Sequence, residues 1–152
     1  MKIAFGADEV NETVRTVNAE LQQRGYGIEA YLPNERIKVT WTKAALAVAR
    51  DVAQGRVDEG ILMCWTGTGV CMAANKVHGI RAALCGDAET ARGARLWNNA
   101  NILCMSMRLI TPGLAKEILE AWFSTKYIHN PEDDACLQEI ETLDTNIKEL
   151  VM

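Results

Sequence analysis

No stretch of this chain approaches the apolar length of a membrane span, and its N-terminus carries no basic segment followed by a long apolar run. Met1-Lys-Ile-Ala-Phe-Gly6 starts at once as a strand, so a soluble cytoplasmic protein is expected. Lys and Arg number 16 against 20 Asp and Glu, giving a formal net charge of -4, and they are nowhere gathered into a run. This excludes the phosphate-neutralising face that nucleic-acid binding requires. The five cysteines are odd in number, with no C-x-x-C and no Cys/His pairing at metal-ligand spacing. That argues for reduced thiols and against both a disulfide framework and a zinc site. Histidine is scarcer still, and neither His78 nor His129 has a neighbour that suggests a role.

What is present fits one domain, since 152 residues can bury a proper core and nearly half of them are hydrophobic. The most informative stretch is Gly60–Lys76, GILMCWTGTGVCMAANK. Its apolar start reads as a buried parallel strand, its two glycines and two hydroxyls as a tight turn, and Val70–Ala74 as a helix. Backbone N–H groups at such a turn are unpaired and can face an oxyanion. Cys64 would lie beside that anion. Cysteine is also a common small hydrophobe and glycine serves turn geometry alone, so the pattern by itself leaves both readings open. Cys71, Cys85, Cys104 and Cys136 read as core or incidental.

Around this centre the chain alternates. Strands are expected at Lys2–Gly6, Tyr26–Leu32, Gly60–Met63, Gly79–Cys85 and Ala100–Met105. Helices are expected at Asn11–Arg24, with Val10, Val14, Val17 and Leu21 on one face, at Trp41–Ala53, at Asp87–Trp97, and from Thr111-Pro112 through Phe123. Strand–helix alternation of this kind gives a parallel sheet covered on both faces. Ligands of such sheets bind outside the carboxyl ends of the strands, which collects Asp8, Cys64–Gly69, Asp87 and Ser106–Arg108 on one rim. Asp87 and Arg92 are better suited to a helix start than to chemistry. The expected fold is therefore a Rossmann-like three-layer α/β/α sandwich over residues 1–128, with a five-stranded parallel sheet. Residues 129–152 form a helical tail, Ala135–Leu150, opened by the solvated acidic run Glu132–Asp134. Its stripe of Leu137, Ile140, Leu143 and Ile147 is expected to pack on a neighbouring subunit, with docking on its own domain as the alternative.

From Met1 to about Phe123 the chain resembles the type B ribose-5-phosphate isomerase family, which includes the galactose-6-phosphate isomerase subunits. The matching residues are Gly60-Ile-Leu with Cys64-x-Thr-Gly-x-Gly, Ala73-Ala-Asn-Lys76, Gly79-Ile-Arg-Ala-Ala83, Asn98-x-Ala-Asn101, and Arg108 with Leu114-Ala-Lys-Glu-Ile118. The resemblance implies a cofactor-free, metal-free aldose–ketose isomerase of a sugar or sugar phosphate, working through an enediolate. It also implies a homodimer or homotetramer with active sites shared between subunits. Cys64 falls on the position of the cysteine that moves the proton, and Thr66 on that of the hydroxyl that relays protons between substrate oxygens. Gly67, Thr68 and Gly69 fall on the loop that steadies the oxyanion, Asp8 and Asn98 on substrate contacts, and Arg108 near the phosphate. A thiol becomes a useful base when its pKa is lowered, which a helix N-terminus does, and Cys64 is expected to be the most readily alkylated of the five thiols.

The departures matter equally. Where the family has Asp-His after the first strand, this chain has Asp8-Glu9. Trp65 replaces a glycine, and Trp97 replaces the histidine credited with opening the furanose ring. Val70 stands where some members carry a catalytic glutamate. His129-Asn-Pro-Glu-Asp-Asp134 replaces a tail whose arginines grip phosphate. Trp65 and Trp97 are expected to line the pocket with Asp8 and Glu9, and a shorter or less charged substrate follows. A proton transfer other than isomerisation, a non-catalytic metabolite-binding relative and a subunit of a mixed oligomer remain the alternative readings.

Overall fold

In a computed structural model that describes residues 1–150, with side chains through 145, the five strands form one parallel sheet in the order β2-β1-β3-β5-β4. They are β1 (Lys2–Ala7), β2 (Gly27–Tyr31), β3 (Glu59–Cys64), β4 (Ala82–Leu84) and β5 (Ile102–Ser106). The inner strands are buried except at Lys2, the first residue of β1, and alternate cleanly. Ile3, Phe5, Ile61, Met63, Leu103 and Met105 face one layer, while Ala4, Leu62, Cys64, Ile102 and Cys104 face the other. The first layer holds α1 (Glu12–Gln23), α4 (Ala88–Leu96) and α5 (Pro112–Ser124). The second holds α2 (Trp41–Ala53) and α3 (Thr68–Ala74).

Each long helix of the two layers starts where a side chain satisfies one of its first free amides. Asn11, Thr40, Asp87 and Thr111 accept from the backbone of Val14, Lys43, Thr90 and Leu114 respectively, a cap worth about 1 kcal/mol each. The helix faces read from the sequence are the buried ones: Val14, Val17 and Leu21 are all fully covered. At the amino edge of the sheet the buried Glu59 carboxylate accepts from the Trp122 indole at 2.7 Å and pairs with Arg95 at 2.6 Å. Burial pushes the Glu59 carboxyl up in pKa, while Arg95 pulls it back.

Two boundaries differ from expectation. β4 spans only Ala82–Leu84 rather than Gly79–Cys85, because Gly79 takes φ +80° in a turn that the Ile80 amide closes on the Val77 carbonyl. The last helix, α6, runs Pro131–Leu150 and begins four residues early. Asn130 accepts from the Asp133 amide at 2.9 Å, so the acidic run lies inside the first turn. α6 meets the body through polar contacts: Asp144 accepts from the Gly79 amide at 2.9 Å and faces His78 at 3.5 Å. Ile140 and Leu143 stay 45% and 65% exposed, and Leu137 is half-buried; the side chain of Ile147 lies outside the described ones. Among the described residues no helix is long and apolar enough to cross a membrane.

Candidate active site

β1 leads into α1 in one layer and β3 into α3 in the other, so the crossovers change face between these neighbouring strands and their carboxyl ends border a crevice. Asp8, Trp41, Cys64, Trp65, Thr66, Thr68 and Gly69 line it, enclosing about 310 Å³, at the small end of the roughly 300–1,000 Å³ typical of ligand sites. Cys64 ends β3 and is 5% exposed. The chain then turns sharply. Gly67 takes φ +76° beneath the loop, where a Cβ would stand 2.6 Å from Leu84 Cδ1 and 2.8 Å from the Met105 carbonyl carbon. Only glycine fits that space.

The turn is braced from β5. The Met107 and Arg108 amides donate to the carbonyls of Cys64 and Trp65, both at 3.0 Å, and the Ser106 hydroxyl donates to the Trp65 carbonyl at 2.9 Å. The hydroxyls of Thr66 and Thr68 lie 2.7 Å apart, a ready path for one proton between two oxygens. Across the crevice, Oδ1 of Asp8 is buried with no hydrogen-bond partner among the described residues. Desolvation raises the carboxyl pKa above the ordinary value, a hydrogen bond from its own backbone amide to the carboxylate opposes this, and the Glu9 charge adds to the rise. A buried acceptor without a donor costs about 1–3 kcal/mol, which a ligand hydroxyl would offset.

Trp41 was missed from the sequence, where it reads only as the first residue of α2. Its ring covers Gly69, approaching a notional Cβ there to 3.1 Å. The signal was positional: a helix entered from the carboxyl end of β2 puts its first side chain on the same rim as Cys64.

The other expected residues are placed differently. Glu9 is exposed beside Asp8 and outside the cavity lining, and Arg108 reaches the site through its backbone while its side chain is exposed. Trp97 and Asn98 do not line the crevice within one chain. They border a separate open groove with Leu84, Glu89 and Gly93, because α4 packs beside the edge strand β4 and Trp97 caps its C-terminal end, from which the chain runs to the amino end of β5, away from the rim that holds Cys64. Trp65 and Trp97 are 59% and 58% exposed.

The five thiols differ in exposure, with Cys64, Cys85 and Cys104 buried. Cys136 on α6 is exposed, and half-buried Cys71 is acidified to about 7 by its hydrogen bond with Cys104, whereas burial drives Cys85 up to about 12 and Cys104 higher than ordinary. No group of three or more potential ligands among the described residues could hold a metal ion.

The model of the Ribose/Galactose Isomerase family matches residues 3–140. A D-erythrulose-4-phosphate isomerase of Pectobacterium atrosepticum is 38% identical over 84% of this chain and 85% of its own. A ribose-5-P isomerase B of Listeria innocua is 38% identical over 84% and 86%. The solved ribose-5-phosphate isomerase B of Clostridium thermocellum superposes with a TM-score of 0.91 at 32% identity, covering 97% of this chain and 99% of that one. With its fold superposable end to end on a solved member and its Cys64–Gly69 turn lying inside the matched span, this chain belongs to the ribose/galactose isomerase family.

Proposed function

We propose that this chain interconverts an aldose phosphate and a ketose phosphate through an enediolate, with Cys64 as the group that moves the carbon-bound proton. The observation that carries the reading is a crevice lined together by Cys64, the Thr66–Thr68 pair and Asp8, whose Oδ1 is buried and unpartnered. Cys64 takes the proton from the carbon next to the carbonyl and returns it to the former carbonyl carbon. Meanwhile one proton passes between the two oxygens along the threonine hydroxyls, so no atom is gained or lost. Backbone amides of the Gly67–Gly69 turn steady the negative oxygen, and Asp8 accepts from a substrate hydroxyl, holding it for proton transfer. The relatives act on four- and five-carbon sugar phosphates by name, which supports this substrate class here.

The site is completed by a second copy in this reading. Met72, Leu84, Trp97 and Leu109 are exposed apolar side chains of the body, as are Ile140 and Leu143 of the tail, and such patches mark contact surfaces. The β4 edge of one copy then brings Trp97 and Asn98 towards the partner's crevice, with Glu9 and Arg108 at the rim, and the exposed Ile140 and Leu143 of the tail lie against the neighbour.

Solvent deuterium exchange tests the chemistry. Incubated in D₂O with erythrulose 4-phosphate or ribulose 5-phosphate, the protein is expected to place deuterium on the carbon next to the carbonyl, and Cys64→Ser to lose this by at least 100-fold with its circular dichroism unchanged. Undiminished exchange by the serine variant would remove Cys64 from its role.

A further inference from the structure

An aldopentose 5-phosphate closes on its C4 hydroxyl and enters solution almost entirely as a furanose. Opening that ring takes a proton from the anomeric hydroxyl and gives one to the ring oxygen, atoms different from those of the enediol step. A site that opens rings therefore needs acid–base groups beyond the one that moves the carbon-bound proton.

Inside the crevice there is none to spare, and Glu9 stands exposed outside its lining. Among the described residues lining it, only Asp8 and Cys64 titrate; Thr66, Thr68, Trp41 and Trp65 offer hydroxyls and indoles that keep their protons near neutral pH. Cys64 is committed to carbon, and Asp8 to a substrate hydroxyl. The groove at the β4 edge adds Trp97, Asn98 and one carboxylate, Glu89, which Arg92 engages at 3.3 Å. Both histidines of the chain are elsewhere. His78 precedes β4 and faces Asp144, His129 contacts Asp134 at 3.0 Å, and the two line a different cavity at the amino edge of the sheet.

Resting on the isomerase reading above, we infer that the crevice takes its substrate only as the open chain, so that its substrates are sugar phosphates whose ring-closing hydroxyl carries the phosphate. Four-carbon sugar 4-phosphates meet this condition in both aldose and ketose forms. A 2-ketopentose 5-phosphate meets it too, because its five-membered ring would need the esterified O5. Its aldose partner does not.

The asymmetry gives a test with one enzyme and two interconvertible substrates. Initial rates on ribulose 5-phosphate and on ribose 5-phosphate are measured over a hundredfold range of enzyme concentration, with erythrulose 4-phosphate alongside. Consumption of ribulose 5-phosphate and erythrulose 4-phosphate is expected to rise in proportion to enzyme throughout. Consumption of ribose 5-phosphate is expected to level off at the rate of its spontaneous ring opening, at least tenfold below the others. Proportional consumption of ribose 5-phosphate past that rate would overturn the inference alone. Turnover of erythrulose 4-phosphate with neither pentose phosphate would also overturn it, since chain length and not ring closure would be the barrier. No turnover of any of the three overturns the isomerase reading, and the inference with it.

Discussion

Replacing Asp8 with asparagine should move stability and activity in opposite directions. Oδ1 of Asp8 is buried and unpartnered, so the free protein carries a desolvated carboxylate with Glu9 beside it. A buried unpaired charge costs more than a buried unpaired neutral group; Asp8→Asn keeps the shape, puts a neutral amide in place of the charge and should recover about 1 kcal/mol. For a domain near 150 residues that corresponds to a melting temperature raised by about 2–4 °C. The pH dependence has a definite sign. Because the folded pKa is raised, the stability linked to this group is fully present below the ordinary value of 3.8 and is lost as pH rises through the folded value. The advantage of the variant should therefore be seen at pH 7 and vanish by about pH 4. Catalysis loses a hydrogen bond to a charged acceptor, about 1.5–3 kcal/mol, or roughly 10- to 100-fold in kcat/KM. Thermal melts at both pH values beside deuterium-exchange rates decide the matter. A variant that melts lower than the parent at pH 7 would show that Asp8 anchors the fold, and the reading of its orphaned oxygen as a substrate contact would fail.

Gly67→Ala should cost at least about 1–2 kcal/mol for the left-handed conformation alone, and more for the Met105 backbone lying 2.8 Å from the new Cβ; a melt lowered by less than 2 °C would mean that the turn is looser than its geometry. Sedimentation at micromolar concentration should give a dimer or larger, shifted to smaller species by Ile140→Glu with Leu143→Glu, whereas a monomeric parent would leave the tail's apolar stripe unexplained. Alkylation of Cys71, followed by peptide mass spectrometry, should reach half its maximal rate near pH 7, reflecting a thiol acidified to about 7 by Cys104; a midpoint near the ordinary value of about 8.5 would deny that hydrogen bond.

The elements that were legible are those with a local cause. β1, β3 and β5 are buried on both faces and so write continuous apolar runs, and α1, α2, α4 and α5 announce themselves by a capping side chain three residues ahead of its amide partner. β4 was read too long because Ile80 and Arg81 sit in an apolar context that looks like a strand, although Gly79 has already turned the backbone to φ +80°. The start of α3 was hidden for a related reason. Thr68 and Gly69 are weak helix formers, and only the left-handed Gly67 before them sets the first turn.

The site was legible to the extent that it is contiguous. Cys64 through Gly69 and the adjoining Asp8 lie at the ends of paired strands, so the rule that parallel sheets bind ligands at their carboxyl edge finds them without knowing the strand order. Trp41 and Trp97 depend on that order. Trp41 belongs to the crevice because β1 and β3 are neighbours and α2 crosses between β2 and β3. Trp97 is excluded because the order sets α4 beside the edge strand β4 and because Trp97 caps the C-terminal end of that helix, towards the amino end of β5 and away from the carboxyl rim that holds Cys64. A periodicity argument sees both tryptophans as aromatics at the ends of helices and assigns them alike. Strand order separates them into a residue that roofs the crevice of its own chain and one that faces outward from the sheet's edge, and an outward-facing tryptophan beside Leu84 can contribute to catalysis only by meeting the crevice of another copy.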